Sequence, residues 1–314
     1  MGSYDFTSSH YYGESSHNNH QLDGDKYGSK SNTHLIPPFS IHVDKTLQEL
    51  DCKIKLQRKQ KFREPTMPLF NTNFAGFSLT VSTLMRNPSL LIPHLTIPTF
   101  LQLPEDLSYH LIDSVAPEAA GARPPTIRAL VIDKDNTLTP PHKTTFPTEY
   151  YDKLKQLRTS ESSPFNMHTN PDGILIVSNT AGSNPRSKRY EEDARKLEEY
   201  LGKLNIKVFR SPAGASAVKK PLSYAAVLEY LKGNGVVNRA DEVAVVGDRV
   251  GTDVLMASLM GSWSIWTRDG VTQDMKGREG KNYRGTLAGV ERYLVRKLQR
   301  SGVVATLPKS WQHL

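Results

Sequence analysis

Cysteine is all but absent from this chain of 314 residues: Cys52 stands alone, which excludes an intrachain disulfide and is compatible with a reducing compartment. Apolar runs long enough to cross a bilayer are missing as well. Phe70 to Met85 is uncharged, but it is sixteen residues dotted with Asn, Thr and Ser, short of the ~20 mostly apolar residues a spanning helix needs. Asn87 to Leu103 is interrupted by Pro88, Pro93 and Pro98, which break any continuous helix. Aliphatic residues are scarce from residue 1 to 34, where Ser, Tyr, Gly, His and Asn dominate, so that stretch is expected to be disordered. Five of the ten histidines fall in the first 42 residues; their irregular spacing, without cysteine partners, favours a polar tail over a metal site. Acidic residues number 32 against 40 basic ones, a net charge of +8 with a pI near 9.3. That balance suits acidic phospholipid and nucleic acid equally well. No internal repeat is present.

What the chain does contain is a series of short apolar runs, each ending in residues that carry chemistry. Ile127 to Ile132 reads as a buried strand and delivers Asp133-Lys134-Asp135-Asn136-Thr137. Ligands of open α/β sheets bind at the C-terminal ends of strands, so the two carboxylates stand where one could attack and the other move a proton. Taken singly, an Asp-x-Asp turn is a modest signal, because two acids in a solvated turn are common. Gly173 to Val177 is a second strand and ends in Ser178-Asn179-Thr180, which alone reads as a helix cap. Lys219-Lys220-Pro221 opens a helical segment, where a lysine is ordinarily solvated. Val243 to Gly247 is another strand, followed by Asp248 and, five residues on, Asp253. Further elements fit between and after these: helices over 147–157, 190–204, 222–231, 250–260 and 286–300, and strands over 206–209 and 262–267. Strands alternating with helices imply a doubly wound parallel sheet.

The four segments in this order resemble the haloacid dehalogenase superfamily of phosphatases. The resemblance implies a Rossmann-like core with Asp133 as nucleophile and Asp135 as general acid and base. It further implies that Ser178, Asn179, Asn136 and Thr137 bind the phosphate, that Lys220 balances charge, and that the last acids hold Mg²⁺. The chemistry requires such a cation, because an anionic phosphate repels an anionic nucleophile. Mg²⁺ favours oxygen ligands and keeps several waters, so Asp133, Asp248 and the carbonyl of Asp135 are expected to hold it. Asp253 is expected to orient the lysine or a metal-bound water. Lys219 competes with Lys220 for the lysine role; the residue just before the proline matches the family pattern better.

The intervals leave no room for a cap domain, so the site is expected to be open and suited to a phosphate on something large. Three regions follow: a disordered polar and basic extension over 1–66, an apolar segment over 67–104, and a phosphatase domain over 105–314. The basic run from Lys53 to Arg63 could touch anionic lipid or nucleic acid, or simply be solvated. The apolar segment either lays Phe74, Phe77, Leu79, Val81, Leu84, Leu90, Leu91 and Ile92 against lipid or packs them on the domain.

More narrowly, Arg86-Asn87-Pro88-Ser89-Leu90-Leu91-Ile92-Pro93-His94, Ile97-Pro98-Thr99-Phe100, Val177 to Ser183, Val246-Gly247-Asp248-Arg249 and Arg268-Asp269-Gly270-Val271 resemble the fungal mitochondrial phosphatidylglycerophosphatases. That resemblance implies conversion of phosphatidylglycerophosphate to phosphatidylglycerol in cardiolipin biosynthesis. It also implies peripheral attachment to the matrix face of the mitochondrial inner membrane, with no nucleic-acid partner. Residues 1 to 66 precede the expected family start and contain Asp5, Glu14, Asp23 and Asp25, acids that a transit peptide avoids. Two alternatives stay open: a phosphatase of nucleic-acid ends or phosphoproteins, and a non-catalytic scaffold for anionic lipid. Arg186, Arg249 and Arg268 are candidate phosphodiester contacts, since guanidinium matches phosphate geometry.

Overall fold

In the computed structural model, the described residues are 74–115, 124–212, 219–271 and 285–312. The polar tail, its histidines, Cys52 and the basic run from Lys53 to Arg63 lie outside them. Six strands form the sheet: β1 (Leu95–Ile97), β2 (Ala129–Ile132), β3 (Ile174–Ile176), β4 (Lys207–Val208), β5 (Val243–Gly247) and β6 (Trp263–Thr267). All pairings are parallel, in the order β1-β6-β5-β2-β3-β4. The chain moves outward from β2 through β3 to β4, then returns to the opposite side of β2 as β5. That reversal opens a crevice at the C-terminal ends of β2 and β5, the place where an open α/β sheet binds its ligand.

Period-two alternation sends side chains to both faces. Leu130, Ile132, Ala244, Val246, Trp263 and Ile265 point to one side, where they meet α2 (Leu107–Val115), α3 (Thr148–Thr159) and α4 (Lys188–Tyr200). Ala129, Val131, Val243 and Val245 point to the other and meet α5 (Tyr224–Gly233) and α6 (Leu255–Met260). Helices on both faces make the sheet doubly wound, as the alternation of elements implied. Two more helices, α1 (Phe74–Arg86) and α7 (Gly285–Arg300), complete the set among the described residues.

The interval between β2 and β3 holds α3 and a loop. That loop is fixed by Arg158, whose fully buried guanidinium donates to the carbonyls of Leu204 (2.8 Å), Phe165 (2.7 Å), Asn170 (3.0 Å) and Pro171 (2.7 Å). Burial lowers its pKa to about 10, with Asp172 opposing. The interval between β3 and β4 is filled by α4 and a short 3₁₀ turn, Gly202–Leu204.

The described part of the apolar segment does not stand apart from the sheet; it belongs with the phosphatase region in one compact unit, Phe70–Leu314. β1 pairs with β6 through Leu95↔Ile265, Thr96↔Trp266 and Ile97↔Thr267. Prolines 93 and 98 forbid a long helix, yet they flank a three-residue edge strand without interrupting it. Leu91 and Ile92, candidates for lipid contact, are buried with Val254, Leu255, Trp266 and Val295. Phe77 and Met85 on α1 remain exposed, at 38% and 66%.

A buried histidine fastens this edge. The His94 ring accepts the Ser264 N–H at Nδ1 (3.0 Å), and its Nε2 lies 3.0 Å from the Thr306 carbonyl. These partners require the proton on Nε2, hence a neutral ring. Burial lowers the pKa of His94 to about 4, with the Thr306 carbonyl opposing.

Candidate active site

β2 ends at the turn that carries the two leading carboxylates. The turn is tight because Leu138 and Thr139 both donate backbone N–H groups to the Lys134 carbonyl at 3.0 Å, and Asn136 takes a left-handed φ of 64°. Asn is among the few non-glycine residues that tolerate this conformation. Val271 N–H bonds the Asn136 carbonyl at 2.7 Å and ties the turn to the segment after β6.

Asp133 is buried, and one carboxylate oxygen receives the ammonium of Lys220 while the other lies 3.4 Å from the Thr137 hydroxyl. Lys220 Nζ also reaches Asp253 Oδ1 at 2.6 Å, so one buried ammonium joins a carboxylate from β2 to one that follows β5. Of the two lysines weighed from the sequence, it is Lys220 that meets Asp133 and Asp253. The helix expected from residue 222 begins at Tyr224 instead. The preceding backbone is occupied in placing Lys220, whose N–H donates to Asn179 Oδ1 at 2.8 Å. Asn179 thereby acts on the lysine's backbone.

Asp135 is the most exposed of the four acids, at 24%. Its carboxylate receives the Lys134 ammonium, the His142 N–H (2.8 Å) and the Thr180 hydroxyl (3.2 Å). Thr180 in turn lies 2.9 Å from the Ser178 hydroxyl and donates its N–H to Ser178 Oγ at 3.1 Å. The loops after β2 and β3 are thus linked through Thr180. Neither Thr180 nor Lys134 was singled out from the sequence. A lysine between two aspartates reads as solvated, and only the fold shows it buried and bonded also to the Lys143 carbonyl (3.1 Å).

After β5 the chain makes a widened turn, Val250–Val254, in which both Asp253 N–H (2.9 Å) and Val254 N–H (3.4 Å) reach the Arg249 carbonyl. All five residues are buried, and the turn brings Asp253 back beside Asp248. Asp253 Oδ2 accepts the Arg249 N–H at 3.2 Å. Gly247 permits this approach: a Cβ there would lie 2.2 Å from Asp253 Cγ. Asp248 is held by its carbonyl, which accepts the Trp266 indole N–H at 2.9 Å. Two outlying helices brace the turn, Thr80 of α1 donating to the Gly251 carbonyl (3.1 Å) and Glu291 of α7 accepting its N–H (3.2 Å).

Asp133, Asp248 and Asp253 offer oxygens that lie within 4.8 Å of one another. Three carboxylates are thus gathered in a buried place, two of them on the Lys220 ammonium. Burial pushes the Asp133 carboxyl up to about 7; Lys220 opposes this, while Asp253 and Asp135 add to it. Burial alone would lower the Lys220 ammonium, but Asp133 and Asp253 outweigh it and hold it above its ordinary value. Clustered hard oxygen donors of this kind could hold a metal ion.

Residues 74–272 match the family model described as Mitochondrial PGP phosphatase. The chain is 39% identical over 199 residues to Phosphatidylglycerophosphatase GEP4, mitochondrial, of Saccharomyces cerevisiae, covering 63% of this chain and 89% of that protein. It is 32% identical over 199 residues to the Probable phosphatidylglycerophosphatase, mitochondrial, of Schizosaccharomyces pombe, covering 63% and 84%. Among solved structures, p-nitrophenyl phosphatase from Archaeoglobus fulgidus aligns at 14% identity over 58% of this chain and 95% of that one, with a TM-score of 0.28. That overlap is too loose to bear on the reading.

Proposed function

The chain belongs to the mitochondrial PGP phosphatase family, and from that premise we propose that it hydrolyses phosphatidylglycerophosphate to phosphatidylglycerol and inorganic phosphate through an aspartyl-phosphate on Asp133. The observation that carries the mechanism is Lys220, buried between Asp133 and Asp253. Asp133, Asp248 and the carbonyl of Asp135 would hold Mg²⁺, which when bound supplies the positive charge that lets a carboxylate approach a phosphate.

The Asp133 carboxylate attacks phosphorus in line, and the bond from phosphorus to the glycerol oxygen breaks. Asp135, nearest to solvent of the four acids, gives that oxygen its proton. Water then attacks the acyl phosphate, Asp135 takes its proton, and phosphate leaves with the Asp133 carboxylate restored. Lys220 and the Ser178 hydroxyl stabilise the phosphoryl oxygens as charge redistributes. Asp253 keeps the ammonium aimed at Asp133, a positioning task that its 2.6 Å contact suits. Asn136 and Thr137 complete the phosphate cradle from the first turn.

The intervals after β2 and β3 hold α3, α4, loops and short turns, which supports an open site able to take a phosphate on a bilayer lipid. Among the described residues no helix is long and apolar enough to cross a membrane, which fits peripheral attachment. The relatives' names support a mitochondrial location. The family resemblance supports placing it at the matrix face of the inner membrane, in the pathway to cardiolipin.

The test measures Mg²⁺-dependent phosphate release from phosphatidylglycerophosphate in mixed micelles, beside a soluble phosphopeptide and a 3′-phosphorylated oligonucleotide, with Asp133→Asn as control. Lipid-selective turnover lost in the variant is expected. Turnover confined to a soluble substrate would overturn the lipid assignment, and none on any substrate would return the chain to a binding role.

A further inference from the structure

The outward face of α7 combines apolar and basic side chains. Helix positions three and four apart share a face, and here Val290 (51% exposed) and Tyr293 (63%) fall in line with Lys297 and Arg300, flanked by Leu287 (39%) and Arg296. The opposite side, with Ala288, Val295 and Leu298, is buried. The one acid of the helix, Glu291, is turned inward onto the Gly251 N–H. The exposed face therefore carries three large apolar side chains and three cations with no carboxylate among them. Tyr293, Arg296, Lys297, Arg300 and Ser301 also line a shallow pocket of about 240 Å³.

We propose that this face of α7 docks the protein on an anionic phospholipid bilayer, with Leu287, Val290 and Tyr293 entering the interface and Arg296, Lys297 and Arg300 meeting the headgroups. A helix with apolar and basic residues on one side and no acid binds by burying the former and pairing the latter with anionic lipid. Glu291, on the inner side of the same turns, braces the loop that carries Asp248 and Asp253, so the docked helix is bonded directly to the catalytic region. The proposal deepens the lipid-substrate reading by naming the surface that meets the membrane.

Flotation of the full chain on vesicles of pure phosphatidylcholine, and on vesicles that also carry phosphatidylglycerol, tests it. The wild type should float with the anionic vesicles at low salt and be released at high salt, as screening requires. Arg296→Gln/Lys297→Gln/Arg300→Gln should lose on the order of 100-fold in vesicle affinity, at roughly fivefold per cation. Leu287→Ser/Val290→Ser/Tyr293→Ser should also lose affinity, and both variants should keep turnover of a soluble phosphomonoester. A conservative variant, Tyr293→Trp, should show a blue shift of its added indole emission on anionic vesicles only.

Unchanged flotation of the folded variants, failure of the wild type to float, or no shift in Tyr293→Trp would overturn the proposal. Sedimentation in which the variants dissociate a dimer while still floating would assign the face to a second copy. If the wild type floats and the variants do not, yet phosphatidylglycerophosphate is not hydrolysed, the docking face stands and the substrate reading fails.

Discussion

Two places in this molecule bury ionisable groups about equally deeply, and they do so in opposite ways. In the crevice between β2 and β5, Asp133, Asp248, Asp253 and Lys220 are all under 9% exposed. Their charges are gathered so that one ammonium serves two of the carboxylates directly. At the seam between β1 and β6, His94 is as deeply buried but is held neutral by the Ser264 N–H and the Thr306 carbonyl. Burial penalises charge in both places. A seam whose task is cohesion avoids the penalty by keeping its one titratable ring uncharged. In the crevice the penalty is met instead by an ion pair, with the Lys220 ammonium set against Asp133 and Asp253.

Breaking the crevice should cost catalysis. Asp133→Asn removes the proposed nucleophile while nearly preserving shape, and kcat should fall by about 10⁴ or more in a phosphate-release assay. Lys220→Met should lower kcat by roughly 10³ with a smaller change in KM, since the ammonium acts most strongly on charge that develops in the transition state. Steady-state kinetics on the same lipid micelles separates the two parameters.

Breaking the seam should cost stability and leave chemistry alone. The folded pKa of His94, about 4, lies below its ordinary 6.5, so between these values the unfolded chain binds the extra proton. The stabilisation from a neutral His94 is therefore complete above pH 6.5 and is lost as pH falls through 4, a drop of about 3 kcal/mol at most. Urea melts from pH 7 to pH 4 should show it, and His94→Gln should flatten that slope relative to the wild type. Leu91→Ala at the same edge should destabilise by roughly 2 kcal/mol, the lower end for such a deletion, because half-buried Leu79, Leu84 and Leu90 can shift toward the gap. Its folded fraction should turn over substrate at the normal rate.

The contrast also shows which features could be read in the sequence. β2, β3 and β5 are short apolar runs that end in Asp133, Ser178 and Asp248, so local pattern and site coincide. The sequence favoured Lys220 over Lys219 by its place before Pro221, and the fold adds a contact between Lys220 and Asp133 across 87 positions. β1 escaped notice because three residues between prolines carry no periodicity, and their burial depends on β6, some 170 residues away. Lys134, Arg158 and Thr180 escaped for a related reason. Polar residues are solvated by default, and the partners that bury these are supplied by tertiary structure.

Trapping the covalent intermediate tests the central claim most directly. With a radiolabelled aryl phosphate, whose leaving group departs without an acid, Asp135→Asn should accumulate label on the protein after rapid acid quench, because attack by Asp133 remains possible while hydrolysis of the acyl phosphate lacks a base. The label should map to the peptide containing Asp133 and be absent in Asp133→Asn. Label on another residue, or none in a wild-type enzyme that turns over under the same quench, would contradict nucleophilic attack by Asp133.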